Sequence, residues 1–147
     1  MRSSLPRAAL FLLLAGVVVN VGPANASQFE RVAPVTHAPT QKECGECHMA
    51  FQPGLLPAAS WNRVMDGLSD HFGEKASLPA DSAAAIRAYL TQNAGGGDGR
   101  LIRITEQDWW RRKHRLDPAV WQRKTVGAKS NCEACHRDAG KGLYEDE

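Results

Sequence analysis

Cys44-Gly45-Glu46-Cys47-His48 and Cys132-Glu133-Ala134-Cys135-His136 repeat one pattern, C-x-x-C-H, and together hold all four cysteines of the 147-residue chain. This is the attachment pattern for c-type haem. Two cysteines three apart can share one side of a helical turn and form thioethers to the two vinyl groups at one porphyrin edge. The histidine that follows can turn its imidazole beneath the iron, so Cys44, Cys47, Cys132 and Cys135 are the candidate attachment residues, and His48 and His136 the candidate proximal ligands. Two disulfides, in any of three connectivities, are the ordinary reading of four cysteines in a small exported chain; the spacing argues against it. Structural zinc draws four ligands from neighbouring clusters, whereas Cys44 and Cys132 lie 88 residues apart and each motif is already complete for haem.

The chain opens with the features of an export signal. Arg2 and Arg7 supply positive charge, Ala8 to Val21 is an uncharged, largely apolar run of 14 residues, and Ala24 and Ala26 give the small-x-small cleavage pattern. A membrane span needs about 20 residues, so 1–26 is read as a cleaved signal rather than an anchor, leaving 121 residues. The formal charge of +2 then disappears, because 16 basic residues face 16 acidic ones in what remains. With no basic excess and no base-reading module, nucleic acid is not an expected partner.

Each iron needs a sixth ligand, and the sequence offers His37, His71, His114, Met49 and Met65. Met49 follows His48 directly and cannot easily reach the opposite haem face. Met65, at helical spacing, is more often core filler. His71 falls in SWNRVMDGLSDHFG, read as a helix from Ser60 to Phe72 with Ser60 as N-cap and Gly73 just past its end. His114 falls in ITEQDWWRRKHR, where Thr105 is the expected cap and Ile104 and Trp109 the expected hydrophobic staple. His114 is four residues after Trp110, so indole and imidazole can face one pocket. His37 sits between Pro34 and Pro39 in an extended segment that nothing positions. Sequence separation favours pairing His48 with His71 and His136 with His114, but loop entropy changes slowly with length, and crossed pairing stays open.

Around these residues the chain reads as short helices and long coils. Gln28 to Thr40 is an extended lead-in, the first attachment motif starts a short helix, and MAFQPGLLPAAS is an irregular loop able to cover a haem edge. Asp81 can cap a helix running to about Asn93, and Asp117 with Pro118 can start a short one. Four of the seven residues in NAGGGDG are glycine, which suggests a linker at 95–99 between a first haem domain, 27–94, and a second, 100–147; a mobile loop within one domain is the other reading. Trp109, Trp110 and Trp121 read as walls around the second porphyrin. No alternating run suggests a sheet, so the expected fold is mainly α, a small dihaem c-type cytochrome packed around its haems. So short a chain builds only a shallow peptide core, and the haem-free protein is expected to fold poorly.

The segments ECGECHMAFQPGLLPAASW, DHFG, RITEQDWW and SNCEACHRDAGKG resemble the bacterial dihaem cytochrome c family, often called DHC, over about Val35 to Leu143. The resemblance implies a small periplasmic electron carrier with two covalent haem c groups and bis-histidine coordination. It matches His71 and His114 to the distal positions, and His48 and His136 to the proximal ones. It also implies redox partners: a monohaem cytochrome of the oxygen-binding sphaeroides haem protein type, and a membrane cytochrome b.

Two axial histidines leave an iron no ready site for substrate, which favours outer-sphere electron transfer, and they give lower potentials than a histidine–methionine pair. The alternative is a haem enzyme or gas sensor in which one iron is accessible. Residues 100–129 carry nine basic and three acidic residues, while 29–99 carry five basic and eight acidic. The basic stretch is therefore a candidate surface for orienting a partner.

Overall fold

A computed structural model describes residues 30–145; the expected signal segment, 1–26, lies outside them. Among the described residues the chain is mainly helical, with α1 at Ala38–Cys44, α2 at Ala58–Asp66, α3 at Ala80–Gln92, α4 at Asp108–Lys113 and α5 at Pro118–Trp121, joined by single 3-10 turns and long coils. Extended pairing among the described residues is limited to two isolated bridges, Arg31 with Leu143 and His71 with Glu74.

The peptide core lies where α2 meets α3. Trp61, Val64 and Met65 recur at the spacing that forms one helical face, and that face is buried with Leu56 against Ile86 and Leu90 of α3. The Trp61 indole N–H satisfies itself on the Pro53 carbonyl at 2.7 Å, fixing the loop before α2.

Helix ends differ from the sequence expectation in instructive ways. The Ser60–Phe72 helix is shorter: α2 begins at Ala58 and stops at Asp66, where the Gly67 N–H closes on the Arg63 and Val64 carbonyls. Glycine's poor helix propensity ends the run, a 3-10 turn follows at Leu68–Asp70, and His71 lies beyond it rather than on a helix. Ser60 is no cap; it is fully buried inside the helix, and its hydroxyl donates to the Leu101 carbonyl at 2.6 Å. Thr105 is no cap either, because Ile104–Glu106 forms a 3-10 turn and Gln107 takes the cap position of α4. Pro79 rather than Asp81 precedes α3. The first attachment motif ends a helix instead of starting one. Only α5 is capped as read: Asp117 accepts from the Ala119 N–H at 2.8 Å, with Pro118 at the first helical position.

The glycine-rich stretch is tightly seated. The Gly95 N–H donates to the Leu56 carbonyl at 2.9 Å, and a Cβ at Gly95 would stand 1.9 Å from the Gly54 carbonyl oxygen, so no larger residue fits. Next to it the buried Gln107 amide accepts from the Asp98 N–H and donates to the Asp98 and Leu101 carbonyls. The lead-in closes on the far end of the chain: the Val32 N–H donates to the Gly142 carbonyl and the Tyr144 N–H to that of Glu30, both at 2.8 Å. Gly142 makes this possible with φ +80°, because a Cβ there would meet the Val32 carbonyl oxygen at 1.9 Å.

Candidate haem centres

Four histidines meet in two pairs. The rings of His48 and His71 have centroids 6.3 Å apart with planes 28° from parallel, and those of His114 and His136 lie 6.1 Å apart at 82°. Two imidazoles bound to opposite faces of one metal, each at a metal–nitrogen distance of about 2 Å, have centroids about 6 Å apart. Both separations fit one iron between each pair.

At the first centre, His48 Nδ1 lies 2.8 Å from the Met49 carbonyl oxygen. That contact occupies Nδ1, which leaves Nε2 as the nitrogen that would bind a metal, and is the orienting bond expected of a metal-binding histidine. Phe51 tilts against His48 at 4.8 Å, and Phe72 against His71 at the same distance. Phe72 adopts φ +58°, rare for a bulky residue, and the Arg103 guanidinium covers its ring at 4.0 Å. The His71 N–H donates to the Glu74 carbonyl at 2.6 Å, so the turn holds this histidine from behind. Burial, with His48 and Arg103 nearby, holds the His71 imidazole below its usual pKa, which favours the neutral, ligating form.

The second centre is more enclosed. A cavity of about 660 Å³ has His114, His136, Cys132 and Cys135 on its wall, with Trp109, Trp110 and Trp121 among the apolar residues that complete it. That volume falls within the range of about 300–1,000 Å³ that cofactor pockets span. His114 stacks on Trp110 at 4.2 Å and 8°, and its Nδ1 lies 3.0 Å from the Trp110 carbonyl oxygen. Both follow from the four-residue spacing at the end of α4. His136 differs: its Nδ1 is buried without a hydrogen-bond partner, and the ring meets the edge of Tyr144 at 5.7 Å. Burial pushes the Cys132 thiol up to about 11 and raises that of Cys44. None of the four cysteines is in a disulfide.

Neither Met65 nor His37 joins a pair. Met65 is buried in the peptide core. His37 stacks on Tyr89 at 4.9 Å, with Nδ1 2.9 Å from the Thr40 hydroxyl. Several residues near the centres were not among the expected site residues: Gln52, Tyr144 and Arg103 act on residues distant in the chain, and Phe72 stands beside His71 through a left-handed backbone.

The sequence profile of the dihaem cytochrome c family matches residues 40–144. The chain belongs to the dihaem cytochrome c family. Solved structures agree. A crystal structure of DHC purified from Rhodobacter sphaeroides is 43% identical, with a TM-score of 0.69, covering 75% of this chain and 98% of that one. A diheme cytochrome c from the same organism is 40% identical, with a TM-score of 0.68, covering 76% and 99%. The diheme cytochrome type c of Shewanella baltica OS155 is 39% identical, with a TM-score of 0.66, covering 74% and 86%. No curated protein matches. As a dihaem cytochrome c the chain takes two haem c groups, and its paired C-x-x-C-H motifs suit their covalent attachment. Among the described residues of this dihaem cytochrome c, no helix is long and apolar enough to cross a membrane.

Proposed function

We propose that the protein is an exported electron carrier in which His48 and His71 ligate one haem c and His136 and His114 the other. The observation that carries this reading is the pair of ring separations, 6.3 and 6.1 Å, each sized for one iron between two imidazoles. When bound, the haems supply one-electron chemistry. Cys44, Cys47, Cys132 and Cys135 would hold the two groups covalently, His48 with His71 and His136 with His114 would bind the irons, and Trp109, Trp110 and Trp121 wall the second centre. Two histidines on each iron would leave no position for a substrate, which supports outer-sphere transfer over catalysis and lower potentials than a histidine–methionine pair. The N-terminal features of 1–26 support delivery to the periplasm, where c-type haem attachment occurs.

In native holoprotein both irons are expected to be low-spin. Adding carbon monoxide to the reduced protein, or cyanide to the oxidised one, should leave the absorption spectrum unchanged on mixing. A prompt change at either centre would favour the haem enzyme or gas-sensor reading instead.

The second centre is also the docking side in this reading. Lys113, Leu116 and Lys129 line its cavity. Leu116 is 45% exposed, and Arg111, Arg112, Arg115, Arg123 and Lys124 are exposed along the same stretch. Glu30, paired with Lys113 at 3.6 Å, and Glu145 also line that cavity, but the basic residues outnumber them along 111–129 and suit a redox protein with an acidic face; the monohaem cytochrome and the membrane cytochrome b implied by the family resemblance are the proposed partners. Electrostatic steering changes association rates by about 10- to 1,000-fold and weakens with salt. Reduction of an acidic redox protein should therefore slow as salt rises, and a double R123E/K124E variant should be slower by roughly 10-fold at low salt. Stopped-flow rates independent of salt would remove this surface from the reading.

A further inference from the structure

The two proximal histidines are held in different ways. His48 has a carbonyl acceptor for Nδ1 in Met49, at 2.8 Å, whereas His136 Nδ1 is buried and bare. What lies against the His136 ring is Tyr144, edge-on at 5.7 Å. Tyr144 is fixed at two points: its N–H donates to the Glu30 carbonyl at 2.8 Å, and its hydroxyl donates to Gln52 Oε1 at 2.5 Å. Gln52 is fully buried, and its amide N–H₂ donates to the Ala139 carbonyl at 2.7 Å. The glutamine therefore has an acceptor for its donor and a donor for its acceptor, and ties residue 144 to residue 52 and to the turn after the second attachment motif.

We propose that Tyr144, anchored by Gln52, is a positioning residue that keeps water and other acceptors away from His136 Nδ1 and so makes the second haem the higher-potential of the two. This rests on the axial assignment above. An acceptor on the outer nitrogen of a ligating histidine raises the basicity of the ring toward the metal, which stabilises the oxidised iron and lowers the potential. His48 has such an acceptor and His136 does not. Hydrogen bonding around the axial ligand and burial are among the levers by which a protein sets haem potential. Here both point the same way, since His136 Nδ1 is buried and the second pair lines a partly enclosed cavity while His48 is exposed. The basic residues of 100–129 add to this by disfavouring the more positive oxidised state.

The test is potentiometric titration of the mature two-haem protein and of three variants, with the spin state of each iron followed by electron paramagnetic resonance. Tyr144→Phe removes one hydroxyl and frees the ring from its buried anchor, so water reaches His136 Nδ1. Gln52→Leu removes the anchor from the other side. His71→Met marks the first centre, because thioether coordination raises potential. The expected result is that His71→Met moves the lower wild-type potential, while Tyr144→Phe and Gln52→Leu each lower only the higher one, with both irons still low-spin. Should Gln52→Leu fail to mature, the single-hydroxyl change in Tyr144→Phe decides alone. Unchanged potentials in Tyr144→Phe, equal shifts of both, or movement of the higher potential by His71→Met would overturn the proposal while leaving the axial ligands in place. A high-spin second iron in the wild-type protein would instead overturn the axial assignment and this inference together.

Discussion

Replacing His114 by alanine should open one coordination position and leave the other centre as it was. In reduced protein, carbon monoxide should bind at about one equivalent per chain, one of the two reduction potentials should rise, and the first iron should stay low-spin. The separation of effects follows from geometry. His114 is stacked on Trp110 and faces His136 across 6.1 Å, whereas His48 and His71 face each other across 6.3 Å with their own aromatic neighbours, Phe51 and Phe72. Trp110 also packs against Trp121 at 5.5 Å, so the substitution removes a ligand while the indoles keep a contact of their own. Carbon monoxide titration followed by absorbance, with potentiometry on the same sample, checks it. Two unchanged low-spin centres, or loss of coordination at the first iron alone, would assign His114 to another role.

The second large effect concerns protein made without haem attachment. Without its porphyrin, the cavity of about 660 Å³ leaves the faces of Trp109, Trp110 and Trp121 to water. A large apolar side chain left exposed rather than buried forgoes about 1.5–3 kcal/mol, which for three is comparable with the whole stability of a small domain, about 5–15 kcal/mol, so collapse or unfolding of the second centre is expected. The α2–α3 core is different, because Leu56, Trp61, Val64, Met65, Ile86 and Leu90 bury one another without help from a porphyrin. Hydrogen exchange on the haem-free chain should show rapid exchange through α4, α5 and the second attachment motif, with residual protection in α2 and α3. Uniform protection along the chain would contradict the estimate, and far-UV circular dichroism should report the matching loss of helix.

What could be read from the sequence was local. The attachment motifs announce themselves because their chemistry is contained in five consecutive residues, and the α5 cap because Asp117 and Pro118 act on the turn that follows them. The two histidine pairs were favoured by short separation along the chain, and the structure brings the same residues together. The helix expected to carry His71 stops short of it: apolar periodicity runs straight through Gly67, and only the closure of its N–H onto two carbonyls shows that the helix ends there. Ser60 looks like a cap in sequence, yet its acceptor is Leu101, 41 residues away. Gln52 and Tyr144 are 92 residues apart, and no periodicity or spacing rule connects a glutamine in a proline-containing loop with a tyrosine beside the acidic tail. Non-local polar links of this kind are legible only when the backbone has brought the ends together.

That meeting of the ends bears on how the protein is made. Val32 is joined to Gly142, Glu30 to Tyr144, and the Arg31 guanidinium to Glu145 at 2.9 Å. These contacts span almost the full described length, so they form only after the last residues have left the ribosome, and such long-range closures come late in folding. Until then the attachment cysteines sit on an open chain, their thiols not yet subject to the burial that pushes Cys132 up to about 11. Closure of the ends is thus expected to follow attachment at the second motif rather than precede it.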